Sequence, residues 1–88
     1  MKVLLTPQLR RVVKKLQKAE KTALDEAVRF LVDDPEAGEL KRGDLAGVRV
    51  HKYKVGRQQY LLAYRLADDT ITLLALGTHE NFYRDLKR

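Results

Sequence analysis

The hydrophobic pattern of this chain changes its period once, at Gly47. Before this residue, apolar side chains recur at i, i+3, i+4 and i+7, which is the spacing of a helix that buries one stripe. After it, the chain is rich in β-branched and aromatic residues with an extended period, which is typical of strands. Helices followed by strands predict an α+β fold, in which an αα-hairpin packs on one face of a small, mainly antiparallel sheet.

The helical part divides into two helices. Thr6 and Pro7 are the preferred N-cap and first residue of a helix. Thr22 followed by Asp25 resembles a capping box, so the second helix is expected to begin there and the two helices to join near residues 20–21. The two apolar stripes consist of Leu9, Val12, Val13 and Leu16, and of Leu24, Ala27, Val28 and Leu31.

Strands are expected before the helices and after the polar connection that follows them. Asp34 precedes Pro35 and ends the helical pattern. The predicted order is β-α-α-β-β-β with a short C-terminal helix, and its strands are residues 2–5, 48–55, 59–66 and 71–76.

The last strand is followed by a segment that carries two candidate catalytic side chains. Its residues Leu73–Leu76 are all apolar, which predicts that both faces are covered. Gly77 is expected to end the strand and Thr78 to cap the closing helix, so that His79 and Tyr83 lie on one helical face.

Length and composition exclude several classes of protein. With 88 residues, 44% of them hydrophobic, the chain is expected to form one domain over residues 1–88. It has no cysteine and two well-separated histidines, which argues against a disulfide framework and a metal site, and no cofactor is expected. No apolar run is long enough to span a membrane, so the expected location is the cytoplasm.

The charge favours a polyanionic partner. The net charge is +6 and the isoelectric point is near 9.8, which suits a nucleic acid, the ribosome or an acidic protein. A solvated helix face explains the N-terminal cations equally well, and edge lysines that prevent aggregation are an alternative for Lys52 and Lys54. The two cationic clusters are Arg10, Arg11, Lys14, Lys15, Lys18 and Lys21, and Arg49, Lys52, Lys54, Arg57 and Arg65.

Strand alternation predicts a cationic groove on one face of the sheet. Lys52 and Lys54 lie on one side of their strand, and His51 and Tyr53 on the other. On the next strand, the even-numbered residues from Tyr60 to Leu66 are expected to face the core. The residues between them, Leu61, Ala63 and Arg65, are then expected on an open face.

Two segments, YLLAYRL at 60–66 and LLALGTHENFY at 73–83, together with the order of elements over essentially the whole chain, resemble the RelE/ParE superfamily of bacterial toxins. The resemblance implies a ribosome-dependent mRNA endonuclease if the chain is RelE-like, or a DNA gyrase inhibitor if it is ParE-like. It also implies an antitoxin encoded alongside, whose acidic and apolar segments wrap the toxin.

Site residues follow from the same resemblance. His79 and Tyr83 are similar to the histidine and aromatic pair of YafQ-like toxins, and Lys52 and Lys54 to the paired lysines of RelE. RelE has an arginine where this chain has Leu61, and Arg65 is the available substitute.

RNA cleavage without a metal needs a base, an acid and cations near the phosphate. His79 is the candidate base, and Tyr83 orients it or stacks on a nucleotide. Lys52, Lys54 and Arg65 are candidates for stabilising charge in the transition state. Arg49 and Arg57, together with the two lysines, are candidates for binding the nucleic acid.

The sequence therefore predicts a type II toxin that cleaves mRNA on the ribosome. The alternatives are a non-enzymatic gyrase inhibitor and an RNA- or ribosome-binding module without catalysis.

Overall fold

The computed structural model of the chain describes residues 1–78, apart from the side chain of Asp44. The predicted C-terminal helix with His79 and Tyr83 lies outside the described residues. Within them, helices and strands follow one another as β1 (Lys2–Leu5), α1 (Pro7–Lys14), α2 (Lys18–Asp33), β2 (Glu39–Leu40), β3 (Arg49–Val55), β4 (Gln58–Ala67) and β5 (Thr70–Thr78), with a 3₁₀ turn at Gly43–Leu45.

The strands form one sheet in the order β1-β5-β4-β3-β2. The terminal strand β1 runs parallel to β5, and the other neighbours are antiparallel. This confirms the predicted α+β class and the mainly antiparallel sheet. The two-residue strand β2 was not predicted, because it lies in the polar connection and pairs only with Arg49 and Val50. No helix of the described part is long and apolar enough to cross a bilayer.

The first helix begins as predicted, and the second begins earlier. The Thr6 Oγ1 accepts a hydrogen bond from the Leu9 N–H at 3.2 Å, which caps α1. The N-cap of α2 is Gln17, whose N–H donates to Glu20 Oε1 at 3.0 Å, so the predicted joint near residues 20–21 is wrong. Because this pair satisfies the first turn of α2, Thr22 is an interior helical residue.

Both helices pack on the same face of the sheet. The core on the helix side consists of Leu9, Leu24, Leu31, Leu62, Tyr64, Ile71 and Leu73. A second, smaller cluster on the opposite face consists of Val48, Val50, Leu61 and Ala63. Leu61 and Ala63 are 0% exposed, so the expectation that they lie on an open face is wrong. They are covered because this face has an apolar core of its own.

The pairing of β4 with β5 contains a bulge. Ala63 pairs with Ala75 and Tyr64 with Leu73, which leaves Leu74 as the extra residue. Gly77 does not end the strand, since it pairs with Leu61 and the strand continues to Thr78. Glycine weakens a strand without necessarily ending it, and here the pairing with β4 continues through Gly77 to Thr78.

The burial of residues on β5 decreases beyond the segment that β1 pairs with. Its pairing with β1 reaches only to Leu73. Leu73 is buried, whereas Leu74, Ala75 and Leu76 are half-buried. The prediction of full burial from Leu73 to Leu76 is therefore correct for Leu73 alone.

The connection after α2 is attached to the sheet through Tyr64. The Tyr64 hydroxyl donates to the Pro35 carbonyl at 2.7 Å and accepts from the Gly38 N–H at 2.9 Å. A β-carbon at residue 38 would lie 2.6 Å from this hydroxyl, so glycine is required there. Arg49 adds hydrogen bonds from its Nη1 to the carbonyls of Glu36 and Gly38, both at 3.0 Å.

The substitution Tyr64→Phe is expected to lower the free energy of unfolding by about 1–3 kcal/mol, because it leaves the Gly38 N–H and the Pro35 carbonyl without their partner. Urea unfolding measures this change. Tyr60→Phe is the matched control, since its hydroxyl bonds to the half-buried Glu20 carboxylate, which keeps its bond from the Gln17 N–H, and a smaller loss of about 0.5–1 kcal/mol is expected. Equal losses in the two variants would contradict the anchoring role of Tyr64.

A row of stacked rings joins α2 to the sheet. Successive ring centroids are 5.2 Å apart for Phe30 and His51, 6.0 Å for His51 and Tyr53, and 6.0 Å for Tyr53 and Tyr60. The Tyr60 hydroxyl donates to Glu20 Oε2 at 2.5 Å, and this hydrogen bond lowers the pKa of the Glu20 carboxyl. Because Glu20 belongs to α2, the bond also connects the last ring of the row to that helix. His51 thus packs on the helix side of β3, as strand alternation predicts.

Burial lowers the pKa of His51 below its ordinary value of 6.5. The unfolded chain therefore binds this proton at a higher pH than the folded chain, so the free energy of unfolding decreases as the pH falls below about 6.5. His51→Phe keeps a ring in the row and removes the titrating group. We expect the urea midpoint of this variant to depend less on pH than that of the unsubstituted chain between about pH 7.5 and 5.5. Identical pH dependence in the two proteins would show that His51 is not the responsible group.

Candidate nucleic-acid interface

The face of the sheet that points away from the helices carries three predicted site residues, and we call it the cationic face: Lys52 and Lys54 from β3 and Arg65 from β4. Lys52 pairs with the buried Leu61, and cross-strand partners share a face. Arg65 lies two residues beyond Ala63 and shares its side of β4. All three cations are exposed.

The cationic face has an apolar floor. Leu61 and Ala63 are 0% exposed and Val50 is 2% exposed. Three consecutive apolar residues on β4 were the available sequence signal, because such a run is typical of a strand covered on both sides. The cations consequently border a buried apolar surface.

Lys52 belongs to a row of residues that crosses three strands. It pairs with Leu61, which pairs in turn with Gly77. With strands spaced about 4.8 Å apart, the Cα atoms of Lys52 and Gly77 are about 10 Å apart. One residue later, Thr78 pairs with Tyr60 as the last described residue. The predicted base His79 is the next residue in the sequence.

Arg65 lies at the other end of the cationic face. It pairs with Thr72, four residues along β4 from Leu61, or about 13 Å. Its guanidinium lies beside Gly47, where a β-carbon would be 3.0 Å from Arg65 Nη1 and where the backbone φ of +83° also favours glycine. The structure therefore does not bring Arg65 to the row of Lys52.

Arg49 and Arg57 lie away from this floor. Arg49 is on the helix side of β3, where it contacts the carbonyls described above and lies 3.7 Å from a Glu36 carboxylate oxygen. Arg57 is exposed in the two-residue turn between β3 and β4. Their roles in binding nucleic acid remain predictions, and the observed contacts of Arg49 anchor the connection.

The three cations of the cationic face are not engaged in ion pairs. In residues 1–78, Lys52, Lys54 and Arg65 take part in no ion pair. The pKa of the nearby Glu39 is lowered mainly by its hydrogen bond from Lys41, at 3.0 Å, and to a smaller extent by Lys52. Across the described residues, no three histidine, cysteine or carboxylate side chains converge as metal ligands do. Among residues 1–78, this face therefore carries three exposed cations that no carboxylate neutralises by an ion pair.

Comparison with known proteins identifies the family. A family model described as the ParE-like toxin of type II bacterial toxin–antitoxin systems matches residues 3–87. No curated protein matches the sequence.

Two crystal structures from E. coli share the fold. A chain of the intact RelBE toxin–antitoxin complex is 16% identical with a TM-score of 0.72, over 90% of this chain and 96% of that one. The isolated RelE toxin is 18% identical with a TM-score of 0.70, over 99% and 96%. Since the family model spans nearly the whole sequence, this chain belongs to the ParE-like toxins of type II bacterial toxin–antitoxin systems, within the RelE/ParE superfamily.

Proposed function

We propose that this toxin is a metal-independent endoribonuclease that cleaves mRNA on the ribosome. The observation that carries the proposal is the row of Lys52, Leu61 and Gly77, which sets the exposed Lys52 about 10 Å from the end of β5, with Lys54 two residues further along β3. His79 and Tyr83 follow directly in the sequence. The fold that the chain shares with RelE supports the same reading.

The proposed reaction is attack of a ribose 2′-oxygen on the adjacent phosphorus, with loss of the 5′-oxygen of the next nucleotide. His79 takes the proton of the 2′-hydroxyl as general base, and a proton is delivered to the leaving oxygen by an acid. The ammonium groups of Lys52 and Lys54 stabilise the charge that develops on the phosphorane oxygens. Tyr83 positions His79 or stacks on a base of the message.

The length of the cationic face suits a strand of RNA. The Cα atom of Arg65 is about 13 Å along β4 from the row of Lys52. At this separation, Arg65 and Lys52 are placed to contact different phosphates of one RNA strand. We therefore assign Arg65 to a phosphate remote from the cleaved bond, and Arg57 to the opposite end beside Lys54. On this assignment, Arg65→Ala weakens binding of the message more than it slows the chemical step.

An acidic antitoxin is the proposed protein partner. One chain with this fold was crystallised in a toxin–antitoxin complex, the E. coli RelBE complex. The net charge of +6 favours an acidic protein over a basic one.

Inhibition of DNA gyrase is the second candidate function. The observation in its favour is the matching family model, whose description names ParE-like toxins. This function requires a binding surface and no base at residue 79. Because fold alone does not decide between the two functions, the experiment must test the site.

Lys52→Ala combined with Lys54→Ala is expected to reduce the salt dependence of RNA binding. Each lost phosphate contact lowers the slope of log K against log salt by about 0.7 for single strands, so the double variant should lose about one to two units. The matched control, Lys14→Ala with Lys15→Ala, removes the same charge from the end of α1 and should change the slope less. A larger change in the control would place the RNA surface on the helix side. Fluorescence anisotropy with a labelled oligoribonucleotide measures both.

His79→Ala is expected to abolish cleavage of a translated message and growth arrest, because loss of a positioned base costs about 10²–10⁴-fold in rate. Toeprinting with purified ribosomes detects the new 3′ ends, and DNA supercoiling by gyrase is assayed with the same preparations. The control is the urea midpoint of the variant, which should stay close to that of the parent. Full cleavage by a folded His79→Ala protein would contradict the assignment of the base. Inhibition of gyrase without any cleavage would support the second candidate function.

A further inference from the structure

A groove lies between the first half of α2 and the end of β3. It has a volume of about 560 Å³, which is within the range of sites that bind small organic ligands. The helix contributes the small side chains Ala19, Thr22 and Ala23, and Val55 adds apolar surface from β3. The groove is therefore large enough for one nucleotide, and the proposed reaction does not use it.

The two ends of the groove carry opposite charges. Lys18 is the first residue of α2 and Glu26 comes eight residues later, which separates them by about 12 Å along the helix axis. This distance is comparable to that between the phosphate and the far edge of the base in one nucleotide. Within residues 1–78, neither side chain takes part in an ion pair, so in this part of the chain both are available to a ligand.

Helix α2 runs antiparallel to β3. Near the end of the helix, Phe30 stacks on His51, and near its start, Glu20 bonds to Tyr60, which lies close to the turn between β3 and β4. The end of the groove at Lys18 is therefore nearer to this turn than the other end is.

The groove continues the cationic face around the end of β3. Lys54 belongs to the cationic face and also lines the groove. Gly56 lines the groove too, and it shares the two-residue turn with the exposed Arg57. A chain of phosphates that follows the cations of the sheet therefore meets Arg57 next and then Lys18.

We propose that the groove binds one nucleotide of the RNA that the cationic face holds, with its phosphate at Lys18 and its base against Ala23 and Val55. The inference rests on the proposed function, which makes RNA the ligand. The ammonium group of Lys18 pairs with the phosphate through charge-assisted hydrogen bonds. The apolar side chains contact the face of the base, as in other pockets that combine an apolar lining with a few polar groups.

Glu26 selects the base. An ionised carboxylate only accepts hydrogen bonds, so it favours a base edge that carries N–H donors. Guanine presents two neighbouring donors, N1–H and the N2 amino group, which match the two oxygens of one carboxylate. Adenine and cytosine offer one amino group beside an acceptor nitrogen, and the N–H of uracil lies between two carbonyl oxygens. Among the described residues that line the groove, Glu26 is the one acid, so guanine is the expected base.

Two oligonucleotides that differ by a single donor test this assignment. The probes are a labelled ten-residue oligouridylate with one central guanosine, and the same strand with inosine, which lacks the N2 amino group. The guanosine strand should bind the toxin about tenfold more tightly in fluorescence anisotropy, because inosine loses a hydrogen bond to a charged group.

A matched pair of variants shows whether Glu26 makes this contact. Glu26→Ala should reduce the ratio of the two affinities to less than about twofold, because the acceptor is lost. Asp25→Ala removes the same charge from the neighbouring exposed position, which does not line the groove, and it should keep the ratio of the parent. An equal fall of the ratio in both variants would overturn the assignment of Glu26.

The remaining outcomes separate the groove from the proposed function. Equal affinity of the parent for the two strands, with cleavage of a translated message intact, would reject the subsite and leave the proposed function in place. Binding of neither strand would reject the subsite, and the absence of message cleavage as well would reject the proposed function.

A photochemical crosslink locates the base. With 6-thioguanosine at the central position, near-ultraviolet light should join the RNA to residues 22–29 or 55–57, two tryptic peptides that contain lining residues of the groove. Mass spectrometry of the digest identifies the crosslinked peptide. Crosslinks confined to peptides that do not line the groove would overturn the proposal, even if the strand with guanosine binds more tightly.

Discussion

The burial of β4 on both faces constrains the rest of the structure. Residues 61–64 are all 0% exposed, with Leu62 and Tyr64 in the helix-side core and Leu61 and Ala63 in the opposite cluster. A strand buried in this way needs neighbours on both edges to satisfy its backbone, and β3 and β5 supply them. Charged residues are then excluded from the middle of the sheet, which explains why Lys52, Lys54 and Arg65 surround the apolar floor.

Local signals in the sequence predicted the class of fold and most of its elements. The Thr6–Pro7 start of α1, the change of period at Gly47 and the alternation on β3 depend on neighbours in sequence, so they are readable without the structure. The joint between the helices was misplaced because Gln17 and Glu20 compete with the better capping residue Thr22.

The features that sequence could not predict depend on contacts between distant residues. The bulge at Leu74 and the position of the Arg65 guanidinium beside Gly47 are settled by how strands and loops meet. Strict alternation correctly placed Arg65 on the face of Lys52. It gave no information on the distance of about 13 Å along the strand that separates Arg65 from the Lys52 row. The sequence thus predicted which side of the sheet carries the candidate residues, and it did not predict the distances between them.

Lys52 and Lys54 serve the fold and the proposed function through the same charge. Both residues lie on the part of β3 that the short strand β2 does not pair with. Exposed lysines on such an edge oppose pairing with a further strand, which keeps the sheet from extending into aggregates. The ammonium groups that protect the edge are the same groups that the proposed function assigns to the phosphate, so the protective and the catalytic explanations of the two lysines are compatible.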